Sequence, residues 1–283
     1  MFGSLGAWVQ RTLPADELAV VAGTLEETGY GGLWISGGGE PGVFDAVAVA
    51  LAATERITVA TGVVNIWMET PESVTEAWHR IEARWPGRLQ VGLGISHAPL
   101  VERAGRGTYE HPLARTRGFL DALDLQPDPL PPQRRVLGAL GPKMLQLAAE
   151  RTAGTHPYLV TVENTAAARA GVGPDRVVVP ELGVVLSTDL PAARELARQA
   201  LARYFALPNY TNNWLRSGFT EDDLADGGSD RLIDALVALG DVEAVGRRVQ
   251  EHRDAGADSV ALQVLGPRPH AATAFRELAV LLP

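Results

Sequence analysis

The sequence predicts an α/β protein folded as a single (β/α)8 TIM barrel with an insertion before the last strand, on three observations. Eight short β-rich runs alternate with longer amphipathic stretches along the 283 residues. Most of the runs are near-continuous in apolar residues, the pattern of strands buried on both faces of a parallel sheet. Three junctions place a glycine after a helix and before a strand, at Gly29, Gly154 and Gly256, each read as a left-handed helix cap. A doubly wound open sheet is the alternative if the strand count is off by one. Both folds put function at the strand C-termini.

The strands are expected at Leu5–Gln10, Gly32–Ser36, Ile57–Val64, Leu89–Ile95, Arg135–Leu140, Pro157–Thr161, Arg176–Leu186 and Ser259–Leu265. After the first, Pro14 to Thr28 sets Leu18, Val21 and Leu25 on one helical face. Thr70-Pro71-Glu72 opens another helix with a cap, a proline in the first turn and an early acid, and carries Trp78, Ile81 and Trp85 at helical spacing. Pro127 to Pro132 reads as a stiff connector into a strand. Leu207–Asp226, rich in Asn and Tyr, fits neither period and reads as the insertion. One domain spanning 1–283 is expected.

Composition narrows the function. At 46% hydrophobic and 21% charged, the chain is too apolar for disorder. Zero cysteine excludes disulfides, thiolate metal sites and a thiol nucleophile. Thirty-four acidic against 25 basic side chains give a net charge of −9, against a nucleic-acid partner, whose phosphates call for a basic face. No apolar run is long enough to span a bilayer, and the first residues lack the basic and apolar regions of a secretory signal. A soluble, cytoplasmic protein with no membrane partner is expected. Lys143 is the only lysine; every other basic residue is arginine.

Several strand ends carry residues suited to chemistry. Gly141-Pro142-Lys143-Met144 follows a strand and opens a helix, where unpaired amides and the helix dipole favour an anion. Lys143 sits in that first turn, an unfavourable place for a cation unless an anion is present; an ordinary βα turn is the plain alternative. Gly92-Leu93-Gly94-Ile95-Ser96-His97 closes another strand, with two glycines that permit close approach of a backbone or a flat ligand, and His97 at the tip suited to proton exchange or to a hydrogen bond. Thr61 to Trp67 ends a strand on Asn65 followed by a large aromatic, and Ser36-Gly37-Gly38-Gly39-Glu40 follows Trp34. Trp34 and Trp67 are candidates for a pocket wall or for the core. His156 lies at a strand end, His79 and His252 within helices, and His111 and His270 in loops. No His, Asp and Glu set has metal-ligand spacing and no serine sits in a nucleophile elbow, so no metal site is expected.

Taken together, three long stretches resemble the bacterial luciferase-like flavin and deazaflavin oxidoreductases, in particular the actinobacterial branch that uses coenzyme F420. They are Ala60 to Trp67, Pro86 to His97 and Ala139 to Ala148, joined by His156 to Thr161, Leu207 to Asn213 and Gly218 to Glu221. The resemblance covers nearly the whole chain. It implies a deazaflavin ring at the strand C-termini, backed by a non-proline cis peptide that falls here at Gly62–Val63, with Ser36 and Asn65 near the cofactor. It implies that Ile95, Ser96 and His97 meet the ring edge, and that Leu140, Gly141, Lys143 and Met144 hold the phosphate. The implied activity is hydride transfer between the cofactor and a small organic substrate, with a side chain or water exchanging the proton. Many relatives place an acid and a histidine after the second strand; this chain has Gly37 and Gly38 there, which leaves His97 as the catalytic candidate and His156 as the second. Glu40 and Glu69 read as solvated loop carboxylates. FMN on the same barrel, as a monooxygenase, and a cofactor-binding protein without turnover are the alternatives. The family often forms homodimers.

Overall fold

In a computed structural model, residues 2–37, 42–105, 107–266 and 271–282 are described. The strands are β1 (Leu5–Val9), β2 (Gly32–Ile35), β3 (Thr58–Thr61), β4 (Val64–Asn65), β5 (Leu89–Gly94), β6 (Arg135–Leu137), β7 (Gly154–Thr155), β8 (Val177–Val178), β9 (Glu181–Leu186), β10 (Val237–Gly240) and β11 (Val260–Val264). Neighbours run β9-β11-β1-β2-β3-β5-β6-β7-β8, every pair parallel. β3 and β4 are two halves of one stave parted at Gly62 and Val63, and β8 and β9 are halves of another parted at Val179 and Pro180. That last stave closes the ring. On one edge Val179 N–H donates to Thr155 O (3.0 Å) and Glu181 N–H to Pro157 O (2.9 Å); on the other Asp258 N–H donates to Val178 O and Ala261 N–H to Pro180 O (2.9 Å each). The result is the expected (β/α)8 barrel, with β10 added outside it on β9.

Local chemistry accounts for the elements. The helix Pro71–Glu82 starts at Thr70, whose hydroxyl accepts the Ser73 amide while Ser73 Oγ receives the Thr70 amide, a reciprocal cap. Gly29 ends the helix Ala15–Thr28 at φ +95, which glycine reaches without a Cβ penalty. Glu26, near the end of that helix, accepts the amides of Glu55, Arg56 and Ile57 at 2.6–3.0 Å and so fixes the entry to β3. Phe2, Trp8, Trp34, Ala60, Val136, Val179 and Ala261 fill the barrel interior. A larger apolar layer lies between strands and outer helices, and a separate cluster forms around Trp214 in the long β9-to-β11 connection.

Four expectations change. The run Pro157–Thr161 is a loop, and its stave is β7, just before it. Leu159 takes φ +51, its amide donates to Glu181 Oε2, and its carbonyl accepts from Trp214 Nε1, so side chains satisfy the backbone that a strand would have paired. Gly154 is consequently part of β7, not a helix cap; Gly256, at φ +101 with its amide on Arg253 O, is one as expected. The strand Arg176–Leu186 is divided by Pro180, which has no amide to give the ladder. The insertion is wider than Leu207–Asp226: it includes the helices Leu190–Leu201, Pro208–Arg216 and Asp230–Leu236 and then β10. β10 escapes a sequence reading because Val237 follows Leu232, Ile233 and Leu236 at helical spacing with no glycine or proline between.

Candidate active site

Six staves present their C-terminal ends to one cavity of about 600 Å³. Trp8 and Gln10 reach it from β1, Ser36 and Gly37 from β2, Gly62, Val63 and Asn65 from the split stave, and Gly94 through His97 from β5. Gly138, Leu140, Gly141 and Met144 follow β6, and His156 and Tyr158 follow β7. A roof comes from the insertion: Arg203, Tyr204, Leu207, Asn209, Tyr210, Asn212 and Arg216. Every residue proposed from the sequence as catalytic or cofactor-binding lines this cavity except Lys143, which is exposed on the first turn of the helix Pro142–Arg151. The amides of Met144 and Leu145 both return to Gly141 O at 3.0 Å, so the helix start offers fewer free amides than capping alone suggests.

The floor is organised around Val63. The Gly62–Val63 peptide is cis. A Cβ on Gly94 would lie 2.4 Å from Val63 Cγ2, one on Gly92 would lie 3.0 Å from Val63 Cγ1 and 2.1 Å from Thr61 O, and one on Gly138 would meet both methyls at 3.6–3.7 Å. These glycines therefore accommodate the Val63 side chain and the Thr61 carbonyl, so that the close approach at Gly92 is that of a backbone; Gly94 also borders the cavity, and Gly92 does not. A Cβ on Gly37 would fall 1.6 Å from the Val63 carbonyl oxygen, so the bulge occupies the space that a side chain at that position would need. Gly38, Glu40 and His270 lie outside the described residues.

Polar groups at the wall are individually placed. Ser36 Oγ accepts the Arg11 amide (2.9 Å) and donates to Gln10 Oε1 (3.2 Å); Asn65 Oδ1 accepts the Trp67 amide (3.0 Å). Ser96 sits at φ +62, a left-handed conformation costly for a non-glycine residue. That turn aims its carbonyl at Tyr109 Oη (3.2 Å) and Asn209 Nδ2 (3.0 Å), tying the β5 tip to the roof. Trp34 and Trp67 are core residues and do not line the cavity: Trp34 stacks between Phe2 (4.8 Å) and His156 (3.8 Å, 9°), and Trp67 donates to Ile95 O. Glu69 accepts from Ser73 Oγ beside the helix cap.

Both candidate histidines are neutral bases. His156 is 2% exposed, and burial lowers its pKa to about 4 against the raising effect of its bond to Val179. Its Nδ1 is 2.6 Å from Val179 O, an acceptor only, so Nδ1 carries the proton and Nε2 presents a lone pair. That Nε2 has no partner, nor has the neighbouring Trp8 Nε1–H; both flank Gly62. Burial likewise lowers His97 to about 4; its ring tilts against Tyr210 at 4.8 Å and its Nδ1 is unpartnered. His252, in the helix Val242–Asp254, is a core residue bonded through Nδ1 to Thr165 Oγ1 (2.8 Å).

Charge at the cavity is the reverse of the chain as a whole. Among the described residues no Asp or Glu lines it, while Arg203 and Arg216 do, and neither is in an ion pair. Arg203 donates to Tyr204 Oη (2.6 Å) and Arg216 to Asn213 Oδ1 (3.0 Å). The sequence reading missed these roof residues; the Asn-rich run Asn209-Tyr210-Thr211-Asn212-Asn213 was a signal for Asn209, Tyr210 and Asn212 but not for the two arginines. Among the described residues no group of His, Cys, Asp and Glu is arranged to hold a metal ion, and no helix is long and apolar enough to cross a membrane.

Comparison with known proteins bears on the same site. The chain is 26% identical over 296 residues to the 5,10-methylenetetrahydromethanopterin reductase of Archaeoglobus fulgidus, covering 86% of this chain and 88% of that one. Its fold matches the coenzyme F420 dependent tetrahydromethanopterin reductase of Methanopyrus kandleri, with a TM-score of 0.76 at 14% identity over 100% of this chain and 99% of that one. It also matches the FMN-bound oxygenating constituent of 3,6-diketocamphane monooxygenase from Pseudomonas putida, with a TM-score of 0.70 at 14% identity over 99% and 97%. The family model for luciferase-like monooxygenases matches residues 2–259. With that match over most of its length, on a barrel of the same fold, the chain belongs to the luciferase-like monooxygenase family.

Proposed function

We propose that this protein is an oxidoreductase that binds a deazaflavin of the F420 type over the strand C-termini and works on a small organic substrate beneath the roof. The observation that carries the reading is the placement of charge. In a chain of net charge −9, the cavity at the strand C-termini has no carboxylate among its described lining residues and is bordered by two guanidiniums outside any ion pair, as a phosphate-bearing cofactor requires. The cavity also offers the apolar side chains of Val63 and Ile95 to a ring system. FMN meets the same conditions. The F420-dependent Methanopyrus reductase favours F420, and the FMN-bound Pseudomonas monooxygenase is the observation behind FMN.

When bound, the deazaflavin supplies the hydride chemistry. This chain's residues hold and orient. Ser36, Gly62, Val63, Asn65, Ile95 and Ser96 cradle the ring region, while Leu140, Gly141, Lys143 and Met144 take the phosphate side. His97 and His156 enter as neutral imidazoles, so their part is to accept a proton from the substrate or to hydrogen-bond it, and His97, on the loop below Tyr210, is the first candidate. The aromatic roof excludes water from the reacting groups.

The test is titration of the cofactor-free protein with F420 and with FMN, followed by an acceptor screen with the bound cofactor and with His97→Ala. Micromolar binding of F420 and turnover lost in His97→Ala are expected. Micromolar FMN binding without F420 binding overturns the cofactor assignment. Tight binding with no turnover on any acceptor leaves a carrier protein, the reading that Gly37 at the place of the family's acid favours.

A further inference from the structure

A smaller compartment of about 270 Å³ adjoins the main cavity, and Trp8, Gln10, Tyr158, Arg203 and Tyr204 border both. The shared wall is hydrogen-bonded. Tyr158 Oη donates to Gln263 Oε1 (2.8 Å) and meets Tyr204 Oη at 2.9 Å, and Tyr204 Oη receives the Arg203 guanidinium (2.6 Å). Past this wall the lining is mainly apolar, with Leu13, Leu201, Leu265 and Phe275.

The exceptions are Gln263, whose Oε1 is taken by Tyr158, and Glu181, 1% exposed at the start of β9. Its Oε2 accepts the Leu159 amide (3.1 Å), and its Oε1 has no partner. Burial pushes its carboxyl up to about 8, against the lowering effect of the Leu159 amide. The ionisable groups that face it are Tyr158 after β7 and Tyr204, Tyr210 and Arg203 from the roof. Burial holds the tyrosines above their ordinary range and Arg203 stays charged, so Glu181 is the group in this cluster that titrates near neutrality. Among the described residues its Oε1 therefore stands as a buried carboxyl oxygen with no hydrogen-bond partner, an arrangement that a buried polar group rarely keeps without a ligand or water.

We infer that this compartment binds a small, uncharged, largely apolar molecule that brings one hydrogen-bond-accepting oxygen, such as a ketone, ester or amide carbonyl, to Oε1 of Glu181. An anion would be stripped of water among apolar side chains. A cation would meet the Arg203 charge. In the proposed oxidoreductase this is the pocket for the non-reacting end of the substrate, a role that rests on that reading; the binding itself does not.

The test therefore uses the full chain without cofactor, nitrogen-15 labelled, titrated with cyclohexanone, methylcyclohexane and cyclohexylammonium. The Leu159 amide, which donates a hydrogen bond to Glu181 Oε2, reports the site by its resonance. Cyclohexanone is expected to bind about tenfold more tightly than methylcyclohexane, the worth of one hydrogen bond. That advantage disappears as pH rises through 8 and Glu181 ionises. Glu181→Gln, which keeps an N–H donor, retains the preference at all pH values, and Glu181→Leu abolishes it. Leu265→Phe, which narrows the compartment and leaves Glu181 in place, weakens both neutral probes; this variant and the wild-type pH series decide the matter if Glu181→Leu does not fold. Equal binding of ketone and hydrocarbon to the wild type, tighter binding of cyclohexylammonium, or binding indifferent to Leu265→Phe overturns the inference.

Discussion

Replacing Gly94 by alanine tests the floor of the site directly. The new methyl would lie 2.4 Å from Val63 Cγ2, against about 3.5–4.0 Å for ordinary carbon contacts, so one group must retreat by about 1 Å. Val63 has little room to do so. Its β-branched side chain has few rotamers, and its methyls already abut the glycine positions 92 and 138. Overpacking of this kind costs about 1–3 kcal/mol. The opposing effect is smaller: Gly94 has no positive φ, so alanine suits its backbone and gains roughly 0.5–1 kcal/mol by restricting the unfolded chain. A net loss of about 1–2 kcal/mol follows, or roughly 2–6 °C in Tm for a chain of this size. Urea denaturation of the ligand-free protein measures it. The decisive control is the double-mutant cycle, because in a Val63→Ala background Gly94→Ala becomes neutral or stabilising. A Gly94→Ala protein as stable as the wild type, or a loss that persists without the Val63 methyls, refutes the placement of Val63 among these glycines.

Two further outcomes are expected. Arg203→Gln and Arg216→Gln each weaken deazaflavin binding, read by fluorescence titration, by roughly tenfold or more, with less effect at high salt; Lys143→Ala does the same only if the phosphate sits at the start of the helix Pro142–Arg151, and unchanged affinity in Lys143→Ala moves the phosphate to the arginines. Acid lowers stability through His156 and His252, whose folded pKa values lie at about 4, below the ordinary 6.5, because both are buried. The unfolded chain binds these protons first, so their contribution is complete above pH 6.5 and falls towards pH 4 by roughly 3 kcal/mol per histidine; urea midpoints across that range for the wild type and His252→Gln measure the slope, and an equal slope in the variant excludes His252 as a source.

Much of the barrel was legible because parallel strands buried on both faces announce themselves as apolar runs: Leu89 to Gly94 and Leu5 to Val9 read plainly. What was lost depended on partners distant in sequence. Pro157 to Thr161 is apolar enough for a strand, yet Glu181 and Trp214 claim the backbone of Leu159. The site residues at strand tips followed from topology and from the family resemblance, and they converge on one cavity. At Gly92 and Gly94 a close approach was legible but not its source, since a glycine in a sequence gives no sign of whether a ligand, a backbone or a neighbouring valine fills the space beside it. Lys143 drew notice by rarity, which is a property of composition and not of position. The roof was invisible as a wall because its side chains point inward only after the β9-to-β11 connection has folded over the barrel.

The division of labour between floor and roof has an evolutionary consequence. The floor is assembled from six staves scattered between Trp8 and Tyr158, each also bearing the barrel's own packing, so a change there disturbs the scaffold. The roof is one contiguous stretch from Arg203 to Arg216. Exchange of that single segment between relatives re-specifies what the enzyme admits while the rest of the gene is inherited intact.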